Sequence, residues 1–171
     1  MLSFEQILSG GDLRSIGRSN TLVSKITDQQ EFDQLFKLLF HSDRLVMMRA
    51  ADAMEKVTID HPEYLSGHSK EIINLSEDAE NKELKWHLAL LIPRFHLDGK
   101  EFEEAWGLLV KWAKDKTNSR TVRVNAIQGL FELARQNNGL LQNLKVILSK
   151  IKTEDIPSLN ARIKKISKFL I

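Results

Sequence analysis

Cysteine is missing from the sequence altogether. That excludes a disulfide framework, a thiolate zinc site and a cysteine nucleophile, and it fits a reducing compartment. No apolar stretch approaches the ~20 residues needed to cross a bilayer. The opening MLSFEQILSGGDLRS lacks a basic patch followed by an apolar run and lacks a small-residue cleavage site, so no signal peptide is expected. These absences lead to the expectation of a soluble, cytoplasmic protein with no membrane partner. Catalytic signatures are missing too. No G-x-S-x-G marks a nucleophile, and the five histidines form no metal motif, since His68 and Glu71 share a helix face without a third ligand. No cofactor and no catalytic residue is assigned.

Prolines (three) and glycines (eight) are also few, so long segments run without punctuation. Those segments carry apolar residues at three- and four-residue spacing rather than in alternation, and the whole chain reads as helical. DQQEFDQLFKLLF begins with Asp28 as N-cap and puts Phe32, Leu35, Phe36 and Leu39 on one stripe. Ser42 is placed to cap the next helix, VMMRAADAMEKV and its flanks, from about Asp43 to Ile59. Pro62 suits a first helical turn ahead of a shorter helix reaching about Leu75. The polar run SEDAENKE then separates it from a helix near 82 to 95, in which Pro93 predicts a kink. Three more helices follow, over KEFEEAWGLLVKWAKD, RTVRVNAIQGLFELARQN and GLLQNLKVILSKIK, and Pro157 opens the last. Short loops imply antiparallel neighbours.

With 171 residues, 42% of them hydrophobic, the chain suits one folded domain. Its small net charge of +2 hides a polarity. Residues 1 to 80 hold 8 Lys/Arg against 14 Asp/Glu, and residues 81 to 171 hold 17 against 9, a split that can steer an oppositely arranged partner or draw nucleic acid to the basic half.

Laying alternate helices over each other reveals a repeat. Val46, Ala50, Met54 and Val57 align with Leu84, Leu88, Ile92 and Phe95 at an offset of 38, and with Val122, Ala126, Leu130 and Leu133 at a further 38. Leu159, Ile163 and Leu170 follow 37 later, with Ser167 in the remaining slot. A period of this length made of two helices indicates an all-α fold of the α-solenoid type, an alpha-alpha superhelix. The expected division is a cap over residues 1–27 and repeats at about 28–59, 60–97, 98–136 and 137–171 of a single domain. In such a stack Ala50, Ala51 and Ala53 let one helix approach its neighbours closely.

The segments SDRLVMMRAADAMEKV and SRTVRVNAIQGLFELA resemble the second helix of HEAT repeats, in which a polar turn leads to Val-Arg, a small residue and a Leu. Val122-Arg123 with Ala126 and Leu130 fits that pattern, whereas Met47, Lys85 and Asn160 occupy the arginine slot in the other copies. The resemblance covers residues 28 to 170 and implies HEAT-like architecture. GGDLRSIGRSNTLV, MRAADAMEKV and KWHLALLIPRF are similar to a group of bacterial HEAT-repeat proteins, a likeness that implies fold alone.

If the second helices line a concave surface, their outward positions form two rows. One is Arg49, His87, Asn125 and Arg162; the other is Asp52, Leu90, Gln128 and Lys165. A polar, partly basic groove on rigid helices suits an acidic peptide, a helix or a phosphate backbone; the alternative is that Arg49 pairs with Asp52 or a neighbouring repeat and the others are solvated. In GGDLRSIGR, Gly10, Gly11 and Gly17 with Arg14 and Arg18 read either as turns and a tie to the acidic first repeat or as a phosphate cradle. Trp86, Trp106 and Trp112 are expected in the packing. LLVKWAKDKTNSRTVRVNAI resembles the layout of HEAT-like alkylpurine DNA glycosylases, with Trp112, Asp115 and Arg123 in corresponding places, which implies nucleic-acid binding as the alternative function. Lys145, Lys150, Lys152, Arg162, Lys164, Lys165 and Lys168 form a basic C-terminal region that either contacts phosphates or is a solvated end cap. The expected function is a non-catalytic scaffold offering a concave helical face to a protein partner.

Overall fold

The apolar stripes close into helices in the computed structural model, which describes residues 2–11 and 19–170. Gly17, Arg14 and Arg18 of the glycine-arginine segment lie outside the described residues. Among the described residues there are ten α-helices and no strand, and no helix is long and apolar enough to cross a membrane. The chain divides into two compact units, residues 1–66 and residues 67–171.

In the first unit, α1 (Phe4–Leu8), α2 (Ser19–Val23) and α3 (Gln29–Lys37) pack on α4 (Arg44–Asp60). Asp28 caps α3 by accepting from the Glu31 amide at 2.8 Å, and Phe32, Leu35, Phe36 and Leu39 are all buried. The cap of α4 is Asp43, not Ser42; its carboxylate accepts from the Leu45 amide at 2.8 Å, using the stronger acceptor one residue nearer the helix. Ala50, Ala51 and Ala53 are completely buried, so the small residues of α4 are a packing surface on which three other helices converge. Pro62 opens a single 3-10 turn, Pro62–Leu65, rather than a longer helix.

The second unit holds three helix pairs: α5 (Ser69–Asp78) with α6 (Lys82–Leu91), α7 (Gly99–Lys114) with α8 (Arg120–Gln136), and α9 (Leu141–Lys152) with α10 (Pro157–Ser167). The polar run after Leu75 begins inside α5, which extends to Asp78; Ser76 is tied to the helix by its hydroxyl, which donates to the Ile72 carbonyl at 2.6 Å. At Pro93 the helix ends rather than kinks. α6 stops at Leu91 and tightens into a 3-10 turn, Ile92–Arg94, because the proline lacks the amide that another α-turn would need. Pro157 sits in the first turn of α10.

At the centre of this unit, α8 packs on α6, α7, α9 and α10. Leu84, Leu88, Ile92 and Phe95, then Val122, Ala126, Leu130 and Leu133, then Leu159, Ile163 and Leu170 are all buried, so the 38-residue register is a register of core positions. Each large aliphatic side chain withdrawn this way contributes about 1.5–3 kcal/mol. Gly129 makes the close crossing: a Cβ there would lie 2.6 Å from the Ala89 carbonyl oxygen and 2.9 Å from Leu109 Cδ1.

Candidate functional site: a groove on the second unit

Several polar residues of the second helices, Arg49, His87 and Arg123 among them, are committed to the interior. Arg49 is 1% exposed, and its Nη1 donates to the carbonyls of Leu8 at 2.6 Å and Gly10 at 2.5 Å. Gly10 and Gly11 have positive φ, 78° and 81°, a turn that glycine adopts without Cβ strain and that brings the Gly10 carbonyl to the guanidinium. Arg49 therefore does not line an open surface and does not pair with Asp52. Asp52 instead accepts from the Ser19 hydroxyl and from Lys56 Nζ, both at 2.6 Å, while Lys56 also donates to Asn20 Oδ1 at 2.8 Å. Arg49 and this small network hold the N-terminal helices onto α4.

His87, expected in the same row as Arg49, is buried too, edge-on to the Trp86 ring at 5.5 Å. Asn125 is half-buried and donates to the Trp86 carbonyl at 3.1 Å. Neither stands in an open row: His87 is enclosed and Asn125 is held on a backbone carbonyl of α6. Lys165 is exposed on α10.

The glycosylase-like layout is not assembled at an open face. Trp112 is 3% exposed and lies under Lys85, whose Nζ is 5.9 Å from the ring centroid. Asp115 Oδ1 accepts from the Thr117 hydroxyl at 2.7 Å and the Thr117 amide at 2.9 Å, contacts that hold its carboxyl below the usual carboxylate range. Arg123 is buried, with Nε on the Ala113 carbonyl at 2.8 Å and its two terminal nitrogens on the two oxygens of Glu154 at 2.9 and 2.8 Å. This bidentate contact is the main reason the Glu154 carboxyl sits below its ordinary value. Trp86 and Trp106 are half-buried.

An accessible groove runs along α8, with α6 on one side and Arg162 of α10 and the following Phe169 on the other. Gln128 is its hinge. Its Oε1 accepts from Arg162 Nη1 at 2.6 Å, and its Nε2 donates to Glu132 Oε1 at 2.7 Å. Arg135 Nη1 then donates to Glu132 Oε2 at 3.2 Å. Gln128, Glu132 and Arg135 border two depressions. One, of about 510 Å³, also meets Leu90, Pro93 and Arg94; the other, of about 590 Å³, meets Phe131, Leu141 and Phe169. The Arg135 guanidinium carbon lies 5.8 Å from the Phe131 ring centroid, and Phe131 is 6.0 Å from Phe169, which is 73% exposed. Beyond Pro93 a third depression of about 720 Å³ includes Arg94, His96, Asp98 and Gln136, with Gln136 Nε2 donating to the Pro93 carbonyl at 2.7 Å.

Sequence reasoning places Gln128, Leu90 and Arg162 in the rows, and they do meet this groove or each other. It misses Glu132, Arg135 and Phe169. The i, i+4 spacing of Gln128 and Glu132 and the i, i+3 spacing of Glu132 and Arg135 are signals that could have found two of them; Phe169 carries no signal beyond being aromatic. Among the described residues, no group of three or more His, Asp or Glu is arranged to hold a metal ion.

The model of the family described as HEAT repeat domain matches residues 12–170. No curated protein and no solved structure matches the chain.

Proposed function

Since the chain belongs to the HEAT repeat family, we propose that it is a non-catalytic cytoplasmic scaffold that binds a protein partner through the α6, α8 and α10 groove. The supporting observation is the exposed Phe169 beside Phe131 and Arg135. Aromatic and arginine side chains at the mouth of a depression are the types that anchor protein interfaces. The chain of contacts from Arg162 through Gln128 and Glu132 to Arg135 fixes the polar side chains before a partner arrives, which lowers the ordering cost of association. Glu132 pairs with Arg135, and Leu90, Phe131 and Phe169 supply apolar surface beside them, so the groove suits a mixed polar and apolar protein surface.

The test is quantitative mass spectrometry of proteins co-purified from the native host with the unaltered chain and with an Arg135→Glu, Phe169→Ala double variant. Recovery of at least one specific partner drops by about tenfold, while the melting temperature stays within about 2 °C. Equal recovery of every partner by both chains rejects the groove as the binding surface.

A further inference from the structure

We infer that the outer face of the α9/α10 pair is a docking site for an acidic amphipathic helix of a partner protein. The inference takes from the scaffold reading only that the partner is a protein, and it concerns a different face from the α8 groove.

On α9, Lys145, Leu148, Ser149 and Lys152 fall on one helical stripe; on α10, Asn160, Ile163, Lys164 and Ser167 do the same. The two stripes border a groove of about 870 Å³. Leu148, Ile163 and Leu170 form its floor and Lys145, Lys152, Lys164 and Lys168 its rim, with lysine stems extending the apolar walls. The same pair packs on α7 and α8.

A spacing rule within the second unit says what this face is prepared to meet. The slot held by Lys85, Arg123 and Asn160 recurs at 38 and 37 residues. In the first two copies the side chain reaches forward into the turn of the next helix pair. Lys85 Nζ donates to Asn118 Oδ1 at 3.3 Å, in the turn between α7 and α8. Arg123 binds Glu154 in the turn between α9 and α10. In the third copy Asn160 lines the groove instead. Its Nδ2 donates back to Asp155 Oδ1 at 3.2 Å, and its Oδ1 is buried without a hydrogen-bond partner. A buried acceptor left unpaired costs about 1–3 kcal/mol, so this slot, unlike the other two, is not satisfied from within the unit.

Charge selects the class of segment. Residues 141–171 hold seven Lys/Arg and two Asp/Glu, and one of the two, Glu154, is already neutralised by Arg123. Among the described residues none of the four rim lysines has an ion-pair partner. A helix with glutamates flanking an apolar stripe meets both features: its stripe covers the floor and its carboxylates face the rim. Nucleic acid satisfies the rim but offers nothing for the floor. The stripe from Lys145 to Lys152 spans about two helical turns, so a segment of about 16 residues overlaps it completely.

The probe is a fluorescein-labelled helical peptide of about 16 residues, with leucines at i, i+3, i+4 and i+7 and glutamates on both flanks. It is titrated with the full chain and followed by anisotropy in about 150 mM salt. It should bind about tenfold more tightly than a scrambled peptide of equal composition, and more tightly than one with lysines for glutamates by at least the same factor. A Lys164→Glu, Lys168→Glu chain should lose about tenfold in affinity. A Lys70→Glu chain, with a charge reversal at an exposed position of α5, should bind like the unaltered protein. A Lys145→Gln, Lys152→Gln chain provides a second, gentler variant on the same rim and should weaken binding in the same direction. Circular dichroism checks that each chain folds. The inference is overturned if stripe and scramble bind alike, if the folded rim variants bind the stripe peptide undiminished, or if a DNA duplex displaces the peptide at equal charge concentration. Sedimentation showing a dimer that the rim variants dissociate assigns the face to a second copy and overturns it as well. Partner recovery with the Arg135→Glu, Phe169→Ala chain tests the α8 groove separately, so failure of one reading leaves the other readable.

Discussion

The two units each bury one arginine among their largest enclosed side chains, and use it differently. In the first, Arg49 reaches back by about forty residues to the Leu8 carbonyl at the end of α1 and the Gly10 carbonyl in the turn beyond it, so the cation supplies a donor to a backbone oxygen that the short helix leaves over and to the turn that follows. In the second, Arg123 reaches forward to a carboxylate in the turn of the following pair and holds a carbonyl at the end of its own pair's first helix. One ties a terminal segment to a repeat; the other ties repeat to repeat. Arg49 and Arg123, the two arginines buried on second helices, are braces, and for Arg49 a position in an aligned row does not make a ligand-binding group, whereas exposed Arg135 on α8 is free to meet a partner.

The largest expected effect comes from breaking the first brace. Arg49→Ala leaves the buried Leu8 carbonyl and the part-buried Gly10 carbonyl short of a donor and empties a fully enclosed site, and should cost about 4 kcal/mol in chemical denaturation; a loss within about 0.5 kcal/mol would remove the distinction between brace and surface residue. Arg123→Ala should cost about 3 kcal/mol, somewhat less, because Glu154 is partly exposed and can rehydrate.

The second brace should also carry a pH signature. The Glu154 carboxyl is held below its ordinary value of 4.5, first by the hydrogen bonds from Arg123. A carboxyl depressed in the folded state stabilises fully above its unfolded value, and that contribution is lost as pH falls through the folded value. The denaturation midpoint of the unaltered chain should therefore fall more steeply below pH 4.5 than that of Glu154→Gln, and parallel curves would contradict the pairing. Gly129→Ala sharpens the comparison within α8. Helix propensity favours alanine by about 1 kcal/mol, yet the Cβ meets the Ala89 carbonyl oxygen at 2.6 Å, so a net loss of about 2 kcal/mol is expected by thermal melting. Smallest is Phe169→Ala, which at 73% exposure should change stability by less than about 0.5 kcal/mol.

The core was legible in the sequence because burial imposes a period. Val46, Leu84, Val122 and Leu159 recur at near-constant spacing since each faces the interior at the same level of a helix pair, and all four are buried. Helix ends were less legible. Ser42 and Asp43 both suit a cap, and the choice depends on where the backbone turns; Pro93 ends α6 where a kink was the expectation. The candidate site was only partly legible. Alignment places Gln128 and Arg162 in rows, but whether a polar side chain points out or in depends on the partners the tertiary fold brings to it. Arg49 went inward onto the Leu8 and Gly10 carbonyls and His87 against Trp86, and nothing in their spacing distinguishes them from Arg162. Glu154 was invisible as a partner of Arg123 because the contact joins positions 31 apart across a turn, with no periodicity to announce it.

The central claim, that the second-helix arginine braces one helix pair to the next, is tested most directly by a double-mutant cycle on Arg123→Met and Glu154→Gln, measured by chemical denaturation at neutral pH. The account predicts that the two single losses exceed the double loss, with a coupling of about 2 kcal/mol. Additive losses, with a coupling indistinguishable from zero, would contradict it.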